Sequence, residues 1–326
     1  MTQIVEAKGL VLRYGAAEPA VRDLSFGVLP GEVFSLFGPA GAGKTTTLSA
    51  LAGLVVPTAG DALVAGHSVR TEARAVKRIV GLVPQEIALF GALSCRQNLR
   101  FWGRMYGLDG AELRHRVEEV LDAVLLRDCA DERLQTVSGG LQRRINLAAA
   151  LLHRPQVVLM DMPTLGADLQ SRRVIMGLVK ALAARGSTVL YATDSAAEAR
   201  QLSARIGIMD RGRLRALGTH EELTRLVGEG DMMELRLQGG APAHGVLMAL
   251  GRVPGVRQTE TLAGAVRVVA DDGRAALPGL VSELNRHEAR VTGVSLSRPD
   301  LEAVYLHLTG RAFGDGGDQA CYVSKA

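Results

Sequence analysis

A chain of 326 residues is too long for one small domain and long enough for a large core with an appendage, so two folded units are expected. An apolar content of 47% argues against disorder across most of the chain, and with only 4% aromatic residues that core must be built from Val, Leu, Ile and Ala, as in α/β proteins. The net charge of +4 is dispersed, which fits a solvated basic surface better than a nucleic-acid or acidic-lipid partner.

Residues 4–15, "IVEAKGLVLRYG", and 21–31, "VRDLSFGVLPG", read as strands, and Glu32 to Phe37 reads as a buried strand that stops at Gly38. A helix is expected to open at Thr45 and end by Gly53. From about residue 87 to 152 the pattern turns helical, with Leu113, Val117, Val120 and Val124 on one face. Buried strands follow at Val157–Met160 and Thr188–Ala192, separated by a helix around Val174–Ala184. "RIGIMDRGRLRALG" reads as a hairpin turning at Arg211 and Gly212, and the next helix has Thr219 as its cap with Glu222 at the third position. "GEGD" at 228–231 reads as a linker. The remainder runs strand, helix, strand, strand, helix, strand, helix, the order of a small split βαβ domain. The fold class is therefore α/β, with a core over 1–228, a small α+β domain over 229–309 and a mobile tail over 310–326.

Cys95, Cys129 and Cys321 are odd in number, far apart and without a CxxC spacing, which indicates a reduced, cytosolic chain with no structural metal. The amino terminus lacks the basic and apolar pattern of a leader, and no apolar run has the length of a membrane span. Any membrane contact is expected to come through a partner.

"GPAGAGKT", Gly38 to Thr45, satisfies G-x-x-x-x-G-K-[ST] between a strand and a helix. Gly38, Gly41 and Gly43 let backbone N–H groups converge on phosphate oxygens, Lys44 reaches the outer phosphates, and Thr45 offers a hydroxyl to Mg²⁺. Asp161, at the end of its own strand, is the natural second magnesium anchor.

A phosphate loop alone leaves GTPases, kinases and motor ATPases open, but "VSGGLQRRINLAAALL" narrows the choice. Ser138, Gly139 and Gly140 open a helix whose Leu141, Ile145, Ala148 and Leu152 form one apolar face. Its first turn presents free N–H groups and a hydroxyl to a second anion. With these motifs the sequence resembles the ATP-binding subunits of ABC transporters, and more closely the branch serving ABC-2 type exporters, over nearly the whole chain.

The resemblance implies ATP and Mg²⁺ as cofactors and an ABC-type P-loop core whose helical subdomain covers about 87–152. It makes Gln85 in "GLVPQE" the Q-loop residue, with Thr45 and Asp161 a ligand of Mg²⁺, and Asp168 the D-loop acid. Tyr14 would stack on adenine, Thr46 would join the phosphate loop, and Gln142 would act with Ser138, Gly139 and Gly140 on a nucleotide held by a second subunit. Two such subunits pair head to tail and work on a membrane permease, which implies a cytoplasmic position on the inner face of the membrane. The aromatic group Phe90, Phe101, Trp102 and Tyr106 falls where the family docks a short permease helix, although core packing explains it equally well. Arg143 and Arg144 read as a solvated helix face, and His67, His115, His153 and His220 as structural or surface residues.

The departures from the family's pattern are specific. The glutamate that usually follows the strand-end aspartate is Met162, and the histidine after the next strand is Asp194. A thioether cannot polarise the attacking water, and an acid near the outer phosphate replaces a donor with a source of repulsion. Nucleotide binding with poor turnover at the chain's own loop is therefore expected, beside an intact signature helix that can complete a site on another subunit, an intact paralogue or a second copy. The alternatives are a soluble ABC ATPase acting on nucleic acid or ribosomes, and a catalytically silent ATP-binding regulator. The cargo is not legible in this subunit.

Overall fold

The computed structural model describes every residue except Met1, Ala16, 228–229, 239–243, 263–264, 298–299 and 314–326. The chain divides into two compact units, one reaching His220 and including Phe313, the other spanning Glu221–Ala312.

In the first unit β1 (Val5–Leu12) and β2 (Val21–Val28) pair antiparallel, and β3 (Val33–Phe37) runs through the glycine loop into α1 (Lys44–Leu51). β4 (Ala59–Val64), β5 (His67–Ser68), α2 (Ala73–Ile79) and β6 (Val80–Val83) lead to the helical stretch α3 (Cys95–Met105), α4 (Gly110–Ala123) and α5 (Gly139–Ala150). Then come β7 (Val157–Asp161), α6 (Leu169–Ala184), β8 (Thr188–Thr193), α7 (Ala196–Leu202), β9 (Arg205–Asp210) and β10 (Arg213–Gly218), with α8 (His220–Arg225) across the division between units. The strands form a four-stranded antiparallel sheet, β2-β1-β4-β5, and a six-stranded sheet, β10-β9-β3-β8-β7-β6, parallel except for the β9–β10 hairpin.

The apolar runs of β3, β7 and β8 are buried on both faces, which is what helices and a second sheet covering a parallel sheet require. Val158, Met160, Val189 and Tyr191 point into a core shared with α3 to α6, while Val157, Leu159, Leu190 and Ala192 point into one shared with α1 and the antiparallel sheet. Leu113, Val117, Val120 and Val124 are all buried in the first of these cores.

Parallel register then sets the site. Phe37 stands beside Thr193, and Ala192 beside Asp161, so the residues leaving β3, β8 and β7 emerge at one carboxyl edge. Helix α6 begins five residues before the expected Val174, because the Asp168 side chain accepts the Ser171 N–H at 2.8 Å and caps it. The polar run "LQSRR" hid that first turn from a periodicity argument. Arg144 is buried rather than solvated, its guanidinium donating to the Val124 carbonyl at 3.1 Å.

In the second unit β11 (Asp231–Leu237), α9 (His244–Leu250), β12 (Val256–Leu262), β13 (Ala265–Ala270), α10 (Gly273–Arg286), β14 (Val291–Ser297) and α11 (Leu301–Thr309) follow one another. The sheet order is β12-β13-β11-β14, antiparallel throughout, over a core that includes Met233, Leu235, Val266, Val268, Leu280 and Leu284. Gly228 and Glu229 of the expected linker, and residues 314–326 of the expected tail, lie outside the described residues.

Candidate functional site

The loop from Gly38 to Gly43 is held in a shape that calls for glycine at three points, the first being Gly38, where a Cβ would collide with the Met209 carbonyl oxygen. Gly43 has φ 97°, and a Cβ there would stand 2.6 Å from the Ala20 carbonyl; Gly41 has φ 77°. Lys44 is buried and donates through Nζ to the carbonyls of Gly38 (2.6 Å) and Pro39 (2.8 Å). Burial pushes its pKa down, against the attraction of Asp194 and then of Asp161. Thr45 is exposed and Thr46 half-buried.

Asp161 is 2% exposed, and its Oδ1 has no hydrogen-bond partner. Burial raises its pKa, with the Thr45 hydroxyl and Lys44 acting in the opposite direction. An orphaned carboxylate oxygen beside a hydroxyl fits a hard divalent cation such as Mg²⁺, which takes few protein oxygens and completes its shell with water and phosphate. Met162 follows with φ 46°, its N–H donating to Ala192 O at 3.0 Å. The Gly38 N–H donates to Thr193 O at 3.3 Å, which fixes the exposed Asp194 beside the start of the loop. The structure therefore brings Gly38, Gly41, Gly43, Lys44, Thr45, Asp161, Met162 and Asp194 to one sheet edge.

The other expected residues stand differently. Gln85, two residues past β6, is exposed, and its carbonyl accepts from Arg143 Nη1 at 2.7 Å. Tyr14 is 52% exposed on the loop that passes Gly43 at Ala20. Ser138 and Gly139 are exposed at the first turn of α5, where Ser138 Oγ accepts the Leu141 N–H. Gly140 is buried, and a Cβ there would meet Asp168 Oδ2 and, at 2.5 Å, Ser171 Oγ. Gln142 turns back to donate to Val137 O at 3.1 Å, and Asp168 spends both oxygens on Ser171, which holds its pKa down.

A buried hub escaped the sequence reading. Glu198, 3% exposed on α7, accepts from Thr164 Oγ1 (2.7 Å), Tyr191 Oη (2.9 Å) and Thr193 Oγ1 (3.0 Å), with Arg172 Nε at 3.5 Å. It fastens the segment after Met162 and the strand end before Asp194 to one carboxylate. Its only sequence signal was an acid on the inner face of a seven-residue helix.

The fold is that of a P-loop ATPase of the cassette type. A family profile described as ABC transporter matches residues 21–165. The linearmycin resistance ATP-binding protein LnrL of Bacillus subtilis is 38% identical over 96% of this chain and 100% of its own length. The daunorubicin/doxorubicin resistance ATP-binding protein DrrA of Streptomyces peucetius is 37% identical over 96% of this chain and 94% of its own. Among solved structures, the dimeric ATP-binding cassette MJ0796 in a post-hydrolysis state with ADP and Pi matches at TM-score 0.62 and 28% identity, over 66% of this chain and 98% of that one. The chain belongs to the ABC transporter ATP-binding family, in its ABC-2 exporter branch. Among the described residues no helix is long and apolar enough to cross a membrane.

Proposed function

We propose that the chain is the ATP-binding subunit of a membrane exporter, pairing head to tail with a second ATPase subunit and seated on a separate permease at the inner face of the membrane. Its own phosphate loop binds Mg-ATP and turns it over weakly, while its signature helix completes a working site on the partner. The contrast between two ends of the first unit carries this reading. The first turn of α5 is open and capped by Ser138, whereas the position after Asp161 holds a thioether and the place after β8 holds Asp194, whose charge acts on Lys44.

With nucleotide bound, Lys44 would exchange the loop carbonyls for phosphate oxygens, Tyr14 would lie against adenine, and Thr45 and Asp161 would hold Mg²⁺, which would supply neutralisation of phosphate charge. Loss of a group that activates water costs about 10²–10⁴-fold in rate, and Asp194 impairs the same step, so the two losses are not multiplied. Two observations support the partners. The named relatives are resistance ATP-binding proteins, and a Nod factor export ATP-binding protein of Ralstonia nicotianae is 36% identical over 96% of this chain. An apolar groove of about 330 Å³, lined by Leu54, Leu82, Leu89, Trp102, Tyr106 and Ala149, suits the apolar face of a short permease helix.

The test is ATP hydrolysis by the complex purified with its membrane subunit. Ser138→Arg should abolish turnover, Lys44→Ala should reduce it much less, and Met162→Glu should raise turnover at the chain's own site only in part. Full turnover with Ser138→Arg, or rapid transport by a complex holding two copies of this chain, overturns the reading.

A further inference from the structure

The segment after Gln85 is tied to the signature helix by side chains of that helix. Asn146, 4% exposed on α5, accepts the Ala88 N–H through Oδ1 at 3.2 Å and donates through Nδ2 to Pro84 O at 3.3 Å. One turn earlier, Arg143 donates to Gln85 O at 2.7 Å. The amide thus clasps both ends of a five-residue stretch, and the guanidinium holds its second residue. The same stretch forms part of the wall of the apolar groove through Pro84 and Ala88, and Leu89 just beyond it continues that wall. Further on, Phe90 is fastened to Asn98, which accepts its N–H and donates to its carbonyl, so the stretch is held at its far side by α3.

We infer that Asn146 is a positioning residue that makes the pose of the signature helix follow the occupant of the groove. The inference rests on the proposed exporter reading, which supplies the occupant, a short helix of the permease. A helix moves as a rod. Asn146 and Ser138 are eight residues apart on α5, about 12 Å along its axis, so a shift imposed at the clasp reappears at the end that faces the second nucleotide. A buried amide is suited to this work because its loss is costly: an apolar side chain would leave Pro84 O and the Ala88 N–H without partners. Leu147 and Ala150, also buried on α5, offer no such directional bond to the segment.

The experiment compares wild type with Asn146→Leu, which keeps the volume and removes both bonds, and with Asn146→Asp, which keeps only the acceptor. In the purified complex, Asn146→Leu should lower the permease-dependent part of ATP hydrolysis about tenfold, the equivalent of one to two lost hydrogen bonds. Asn146→Asp should fall between, with nucleotide affinity and co-purified permease unchanged. Loss of co-purified permease would make Asn146 a docking contact and overturn the inference, as would an undiminished permease effect. Amide exchange on the isolated chain provides an arm independent of any partner. Ala88→Pro, which removes the donor without touching α5, should speed exchange in the first turns of α5; unchanged exchange there overturns the clasp. Absence of any permease from the wild-type complex instead refutes the exporter reading and leaves the exchange result to decide the clasp.

Discussion

Replacing Glu198 by Ala removes the common acceptor of three buried hydroxyl donors and leaves Thr164, Tyr191 and Thr193 facing a cavity. Each hydrogen bond to a charged acceptor is worth about 1.5–3 kcal/mol, but bonds sharing one carboxylate do not add, and the exposed side of Arg172 contributes little. Breaking such a buried group typically costs about 3–5 kcal/mol, a large part of the roughly 5–15 kcal/mol that a domain has. Glu198→Gln keeps the shape and an acceptor for two of the hydroxyls, so about 1–2 kcal/mol is expected. The assay is urea unfolding followed by the chain's single tryptophan, Trp102, which lies in the first unit and so reports that unit alone. A shift below about 1 kcal/mol for Glu198→Ala, or equal losses for Ala and Gln, would refute the hub, since a shared acceptor must matter more than the volume it fills.

Asp161→Asn should abolish Mg²⁺-dependent nucleotide binding yet leave the nucleotide-free chain as stable as wild type or slightly more so. An acid whose folded pKa is raised binds its proton more tightly when folded, so the ionised form lowers stability as pH rises through the unfolded value. Thermal midpoints without nucleotide check this; a marked loss counts against it. Gly43→Ala should lower nucleotide affinity at least about tenfold in a fluorescent-ATP titration, because at φ 97° the new methyl strains the loop and meets Ala20 O. His153, whose Nε2–H donates to Val80 O and whose ring stacks on Tyr106, has its pKa lowered by burial. Its contribution is fully present above its ordinary pKa and is lost as pH falls through the folded value, so His153→Gln should lose less stability than wild type between about pH 7.5 and about pH 5.5. Equal acid losses in the two would remove His153 from the account.

The sequence by itself determined what depends on local pattern. The glycine spacing from Gly38 to Thr45, the apolar strand into Asp161, and the Ser138 helix start were readable because strand, loop and cap chemistry act over a few residues. Met162 and Asp194 were readable as departures because their strands announced the positions. Tertiary structure alone decided which strand ends meet. Register between β3, β8 and β7 puts Asp194 beside Gly38, where its charge acts on Lys44, and no local pattern carries information about that pairing. It likewise turned Arg144 inward, gave Asn146 to the segment after Gln85, and gathered Thr164, Tyr191 and Thr193 on Glu198. Polar side chains in a core are chosen by partners distant in sequence, so their roles exist only once the chain has closed.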